Sequence, residues 1–312
     1  MNKCLVFGSG SAGIRHAKNA QFLGMEVVLV TQRKVEGFDA YKSFEEALDK
    51  FSPHFGIIAN RTSQHLDALR LLVDQNIPAL IEKPLTNSFD KCLNELVELV
   101  NNKGTQDTYR VAYLMRYHPL VIQLNKDLES LGEINYINSQ YGHYLPWWRN
   151  NSDFRKSYSA SKDQGGGVMY DSSHEIDLIQ FLFGNINSVS AKLRNFNVLD
   201  IDSDELCSLS LELENNIIAD ISLDYFSKIP TRSFRVEGSK GTAILDFIND
   251  NYFISTQDNK EIKKIDMKID RNDIFITELR DFTQNMKKCI LPNITESIKT
   301  VQVFDKANNS HE

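Results

Sequence analysis

Chemistry in this sequence gathers at three places. Gly8, Gly10 and Gly13 spell G-x-G-x-x-G straight after the apolar run Lys3-Cys4-Leu5-Val6-Phe7. Such a turn between a buried strand and a helix lets backbone close on a pyrophosphate, while the helix start offers unpaired N–H groups and the positive end of its dipole. Ser9, Ser11 and Ala12 complete the loop, and all six residues are candidates to line a dinucleotide. Another nucleotide, or a plain glycine turn, is the alternative. The second place is Glu82-Lys83-Pro84, closing a short apolar run at the carboxyl end of a strand. A lysine there can give a charge-assisted hydrogen bond to a substrate oxygen; taken alone it reads as a surface lysine. The third is Gly165-Gly166-Gly167-Val168-Met169-Tyr170-Asp171-Ser172-Ser173-His174-Glu175-Ile176-Asp177. On one helix, Asp171, His174 and Asp177 share a face. A carboxylate beside a histidine sets its tautomer and supports its imidazolium form, which a base taking an alcohol proton needs. A histidine packed against a sheet is the plainer alternative. One histidine with no cysteine nearby is a poor zinc ligand set, so no metal is expected.

Hydrophobic patterning supplies the elements that hold these groups. Up to about residue 115 short apolar runs alternate with amphipathic stretches: strands at Lys3–Phe7, Glu26–Val30, His54–Asn60, Ala79–Pro84 and Tyr109–Met115, helices between them. That alternation predicts a parallel, doubly wound sheet. After the second strand, Thr31-Gln32-Arg33-Lys34 stands where an acidic residue would bind the ribose of NAD. Thr31 and Arg33 suit the 2′-phosphate of NADP, giving a slight lean to NADP over NAD; solvated loop charges are the alternative. The pattern changes near Arg116. Glu133–Tyr144 reads as a long strand, Gly165–Phe183 as a glycine turn and helix, and residues 189–265 as short strands and turns, which predicts an antiparallel sheet. Helices are expected at Asp273–Cys289 and Ile294–Asn308. Two domains follow, 1–117 and 118–312.

Net charge is −7, with 41% hydrophobic and 25% charged residues. This composition predicts a globular protein and argues against general binding to nucleic acid or anionic membranes. The spread of Cys4, Cys92, Cys207 and Cys289 forms no C-x-x-C pair and predicts buried free thiols in a reducing compartment. With neither a signal-peptide pattern nor an apolar run of membrane length, a cytoplasmic location is expected.

Together these segments resemble the Gfo/Idh/MocA family, the glucose–fructose oxidoreductase and inositol dehydrogenase superfamily. GSGSAGIRHA is similar to its cofactor loop, IIANRTSQHLDALRLLVDQNIPALIEKPL to its E-K-P block, and YLMRYHP to its domain-junction block. GGGVMYDSSHEIDLIQFLFG is similar to its catalytic helix, and VEGSKGTAILD to a late G-x-x-G turn. The stretch YGHYLPWWRNNSDFRKSYSASKDQ resembles a sub-branch linked with bacterial surface-polysaccharide and sugar metabolism. The resemblance implies an N-terminal Rossmann sheet and a C-terminal α+β domain whose large, open, mainly antiparallel sheet forms a homodimer or homotetramer. It implies that Lys83 and His174 face a nicotinamide, and that Asn60, Thr62, His65, Glu82 and Arg116 line the cofactor. Asp171 precedes His174 by three positions where the family pattern has four, so its role stays open: orienting His174, binding a sugar hydroxyl, or capping local structure. Arg149 and Tyr158, in the aromatic loop with Tyr144, Trp147, Trp148 and Arg155, are the candidate substrate contacts, with Thr231-Arg232 a weaker one; a packed or dimer-contact loop is the alternative.

The expected activity is hydride transfer between NAD(P) and a hydroxyl or carbonyl of a sugar, sugar derivative or nucleotide sugar. His174 would move the proton and Lys83 hold the oxygen. The alternatives are an NAD-dependent glycoside hydrolase working by transient oxidation, and a non-enzymatic dinucleotide-binding regulator.

Overall fold

The computed structural model describes residues 1–148, 153–259 and 261–310. In chain order the first elements are β1 (Lys3–Phe7), α1 (Ser11–Phe22), β2 (Glu26–Val30), β3 (Asp39–Tyr41), α2 (Phe44–Leu48), β4 (Phe55–Ile58), α3 (His65–Asp74), β5 (Ala79–Glu82), α4 (Lys91–Asn102) and β6 (Tyr109–Ala112). Then come α5 (Pro119–Leu131), β7 (Ile134–Gly142), α6 (Val168–Asp171), α7 (His174–Phe183), β8 (Ile186–Arg194), β9 (Leu206–Leu213), β10 (Ile218–Asp224) and β11 (Thr231–Gly238). The chain ends with β12 (Gly241–Asp246), β13 (Asn251–Thr256), β14 (Lys263–Asp266), α8 (Arg271–Asn285) and α9 (Ile294–Asn309). Two compact units result: Met1–Leu114 with Arg271–Val301, and Met115–Asp270 with Gln302–Glu312.

The first unit holds a six-stranded parallel sheet in the order β3-β2-β1-β4-β5-β6. The winding reverses between β1 and β4, which makes the carboxyl ends of those strands the natural ligand edge. β4 and β6 are buried along their whole length, as continuous apolar runs in a covered parallel sheet must be. The segment Arg271–Val301 joins this sheet through Arg110. Its guanidinium, buried on β6, donates to the carbonyls of Met286, Lys287 and Leu291 at 3.0, 2.8 and 2.9 Å. Val111 N–H adds a bond to Pro292 O at 2.9 Å.

The second unit is built on an eight-stranded sheet, β14-β13-β12-β11-β7-β10-β9-β8, antiparallel except where β7 runs parallel to β10. β9 shows why one face is covered and the other open. Cys207, Leu209, Leu211 and Leu213 are buried, and Ser208, Ser210 and Glu212 between them are exposed. The sheet positions α6 and α7 on its covered side through contacts with β9 and β10.

Three local expectations change. The helix expected through Phe183 is two helices, because i→i+3 bonds from Ser173 N–H to Tyr170 O and from Glu175 N–H to Ser172 O tighten the chain between them. The stretch Thr62–Gln64 is a 3₁₀ turn, with α3 starting at His65. Cys92 is exposed, unlike the other three thiols: the buried stripe of α4 runs through Leu93, Leu96 and Val100, and Cys92 lies off it. β3 and α5 were not legible as elements in the sequence. Among the described residues no helix is long and apolar enough to cross a membrane.

Candidate functional site

In the first unit the glycine loop leaves β1 and enters α1 beside the end of β4. A Cβ on Gly8, whose φ is +97°, would sit 2.7 Å from Ala59 O, and one on Gly13 would sit 2.3 Å from Gly8 O. Those two glycines are required by the fold itself. A Cβ on Gly10 would meet nothing within 4 Å, so packing within the chain does not require a glycine there. Gly10 is also the N-cap of α1, with no side-chain cap bond and no acidic residue in the first turn. Nearby, Asn60 Oδ1 is buried without a hydrogen-bond partner, its Nδ2 donating to Gln64 O at 3.4 Å. Bare backbone, uncapped N–H groups and an unfilled acceptor are the donor set and shape that a pyrophosphate with sugar hydroxyls fits. Ser9 Oγ and Thr31 Oγ1 lie 2.8 Å apart, and Thr31 Oγ1 also accepts from Arg33 N–H at 3.3 Å. The Thr31 hydroxyl thus fastens the two loops together, and Arg33 stays exposed.

The E-K-P turn is held from beneath. Glu82 Oε1 lies 2.8 Å from His16 Nε2, and Glu82 Oε2 accepts from Lys83 N–H at 3.2 Å. Burial pushes the Glu82 carboxyl upward, but the hydrogen bond with His16 and the nearby Lys83 charge outweigh it and hold the group below its usual range. His65 is buried, with Nδ1 2.9 Å from Pro84 O and Nε2 3.4 Å from Asn60 O. It ties the loops after β4 and β5, and burial lowers its basicity. Thr62 is buried beside it in sequence, in the turn before α3.

In the second unit the chemistry-bearing residues flank the break between α6 and α7. Tyr225, just after β10, donates its hydroxyl to Asp171 Oδ2 at 2.6 Å. Burial, together with Asp171, raises the Tyr225 hydroxyl well above the usual phenol range, so it stays a donor. His174 starts α7 and is 7% exposed. Asp177 faces Arg116, which forks onto it with Nε–Oδ2 3.0 Å and Nη2–Oδ1 2.7 Å and covers the Phe181 ring at 4.5 Å. Glu175, fully buried, receives the fork of Arg232 at 2.9 and 2.7 Å and the hydroxyl of Ser139 at 3.1 Å. The bidentate Arg116–Asp177 pair and the two Arg232 bonds to Glu175 Oε1 fix the roll of α7.

The aromatic loop leans on this helix start. Trp148 meets Tyr225, His143 and Tyr141 edge-on at 5.5, 5.9 and 6.3 Å. A Cβ on Gly166 would fall 1.9 Å from Tyr158 O, so the glycine run lets the loop lie flat on the helix entry. Tyr158 is half-buried and close enough to Tyr225 for their charges to interact. Arg155 is exposed and paired with Asp153 at 3.1 Å. Arg149 lies outside the described residues.

The structure therefore brings Gly8–Gly13, Thr31, Arg33, Asn60, Thr62, His65, Glu82 and Lys83 to the carboxyl edge of the parallel sheet. In the second unit Asp171 and Tyr158 both lie near Tyr225, His174 starts α7, and Arg116 is engaged with α7. Sequence reasoning missed His16, Tyr225 and Glu175 as parts of the site's frame, and Arg232, read as a weaker candidate substrate contact, is paired with Glu175. His16 carried a signal, falling three positions after Gly13 on the helix face that turns toward the sheet; Tyr225 carried none beyond a strand end.

Residues 127–244 match the family described as GFO/IDH/MocA C-terminal domain. A curated relative, the 2,7-anhydro-N-acetylneuraminate hydratase of Escherichia coli (strain K12), is 25% identical over 169 residues, 53% of this chain and 44% of that protein. The match thus spans less than half of that relative's length. Levoglucosan dehydrogenase, solved with NADH and levoglucosan, superposes with a TM-score of 0.86 at 16% identity, covering 99% of this chain and 96% of that one. The UDP-N-acetylglucosamine 3-dehydrogenase of Acidithiobacillus ferrooxidans superposes at 0.77 with 18% identity, covering 98% and 95%. At these identities the two structures establish a common fold.

Proposed function

From the match of residues 127–244 to the GFO/IDH/MocA C-terminal domain and the fold shared with two sugar dehydrogenases, we propose that the chain is an NAD(H)-dependent oxidoreductase acting on a hydroxyl of a sugar or sugar derivative. The observation that carries the reading is the bare Gly10 backbone at the uncapped start of α1. The Gly8–Gly13 loop would hold the pyrophosphate, with Asn60, Thr62 and Glu82 along the same edge. A bound nicotinamide supplies hydride acceptance or donation. His174 takes the proton of the substrate hydroxyl, and Lys83 holds that oxygen and offsets its growing negative charge. Asp171, fixed by Tyr225, sets the polar surroundings of that base. Tyr158 and Arg149 are the proposed substrate contacts. The exposed Arg33 is the group that would accommodate a 2′-phosphate, so the ratio of NADH to NADPH affinity in wild type and Arg33→Ala decides cofactor choice.

The test pairs NAD, NADH, NADP and NADPH with free sugars, uronic acids, nonulosonic acids and nucleotide sugars. Thermal shift and nicotinamide absorbance are read together. The expected result is stabilisation by dinucleotide and a change in absorbance with at least one sugar-type alcohol or ketone. Dinucleotide affinity with no reaction across the panel would overturn the catalytic reading. Product formation with no net change in absorbance would move the chain to non-redox chemistry of the kind named for its hydratase relative.

A further inference from the structure

Nδ1 of His16 on α1 and both carboxyl oxygens of Glu278 on α8 are buried without hydrogen-bond partners. Both residues have 0% exposure. α1 packs on α8, and the His16 ring meets Phe275 edge-on, with centroids 5.9 Å apart, one turn before Glu278. Glu278 also feels the charge of Glu82, whose carboxylate holds the other nitrogen of the same His16 ring. Glu278, His16 and Glu82 are therefore neighbours drawn from α8, α1 and β5. Arg15, next to His16 on α1, places its guanidinium over the same Phe275 ring at 4.7 Å. Among the described residues no set of three or more His, Cys, Asp or Glu side chains is arranged to hold a metal ion. The cluster has to satisfy itself with protons and internal water.

The direction of each bond follows from Glu82. An ionised carboxylate only accepts, so the hydrogen at the His16–Glu82 contact sits on Nε2, and in the neutral ring Nδ1 is then an acceptor needing a donor. A buried carboxylate without any donor is far more costly than a buried carboxylic acid. Burial, with Glu82 adding repulsion, raises the Glu278 carboxyl well above its usual range.

We propose that Glu278 is a buried neutral acid that donates to His16 Nδ1 through one internal water, completing a one-way chain Glu278–His16–Glu82 that positions Lys83. The last link is the Lys83 N–H donated to Glu82 Oε2; the importance of that link rests on the catalytic role proposed above for Lys83. Glu278 is a positioning residue, acting only through His16 and Glu82.

The experiment uses the full chain with Glu278→Gln and Glu278→Met. Nitrogen NMR of the histidine rings reads the tautomer, the His16 signals being those missing from His16→Gln. Wild type is expected to carry hydrogen on Nε2 with Nδ1 accepting. Glu278→Gln keeps this, since its amide can donate, whereas Glu278→Met shifts Nδ1 toward a free acceptor. Thermal unfolding against pH gives a second readout. An acid whose folded pKa is raised contributes stability that is complete below its unfolded value and is lost as pH rises toward the folded one. Wild type should therefore lose Tm relative to Glu278→Gln by several degrees as pH rises from the ordinary carboxylate range upward. Turnover should hold within about twofold in Glu278→Gln and fall about tenfold in Glu278→Met, as expected for a displaced catalytic group. A His16 ring protonated on both nitrogens, or a Glu278→Gln protein that is less stable than wild type at every pH, would overturn the proposal. Unchanged turnover in Lys83→Met with the tautomer and unfolding results intact removes the catalytic role of Lys83 and leaves the chain standing. The opposite pattern removes the chain alone.

Discussion

The glycine cradle of the first sheet and the α6–α7 segment of the second unit solve the same problem with different materials. The cradle is backbone: Gly8 and Gly13 exist because a Cβ would strike neighbouring carbonyls, and Gly10 leaves its own backbone bare. Its shape is set within a few residues of β1 and one adjacent strand end. The α6–α7 segment is side chain. Asp171 is held by Tyr225, Glu175 by Arg232 and Asp177 by Arg116, partners 54, 57 and 61 positions away. Backbone recognition is local and tolerates change elsewhere. A buried side-chain frame is long-range, and each member left alone becomes an unpaired polar group.

That contrast can be broken or sharpened experimentally. The largest effect is expected at the two groups proposed to act on the substrate hydroxyl: Lys83→Met and His174→Gln should each cut kcat/KM by about 100- to 10,000-fold. NADH affinity, read by fluorescence titration, should stay within about twofold. Next is Arg232→Met, which strands Glu175 in the interior and should cost about 3–5 kcal/mol in urea unfolding. Little loss there would mean that α7 is not framed by its ion pairs. In the cradle, Gly10→Val should leave Tm within a degree or two and weaken NADH binding by about 10- to 100-fold, since the added atoms compete only with the ligand. Gly8→Ala should instead destabilise the fold by about 1–3 kcal/mol, from the strained backbone and the clash with Ala59. If the two glycine variants behave alike, the division into fold glycines and a ligand glycine is wrong. The smallest effect is expected for Tyr225→Phe, about 1–2 kcal/mol of stability from the lost charge-assisted bond to Asp171. It should also shift the pH profile of kcat if Asp171 tunes His174.

The cradle was legible because every signal for it is short-range. The apolar run, the glycine spacing and the helix after it lie within twenty residues, and the strand–helix alternation places them at a parallel sheet's edge. The E-K-P turn was legible as a strand end, but its support was only half so. His16 lies 66 positions from Glu82, and nothing in either segment names the other. The single helix expected across Asp171 and His174 failed at Ser172–Ser173, where the periodicity continues but the hydrogen bonds change from i→i+4 to i→i+3. The place of Arg271–Val301 in the first unit was decided by Arg110, a charged residue that composition would send to the surface.

The sequence by itself determined the two sheets, their parallel and mainly antiparallel character, the glycine loop and the residues with chemistry to offer. These follow from periodicity and backbone sterics, which act over a few residues. Only the tertiary structure decided which acid meets which base or hydroxyl: Tyr225 with Asp171, Arg232 with Glu175, His16 with Glu82, and α8 against α1. Such pairs depend on sheet register and on how far burial desolvates each group. No local propensity encodes either.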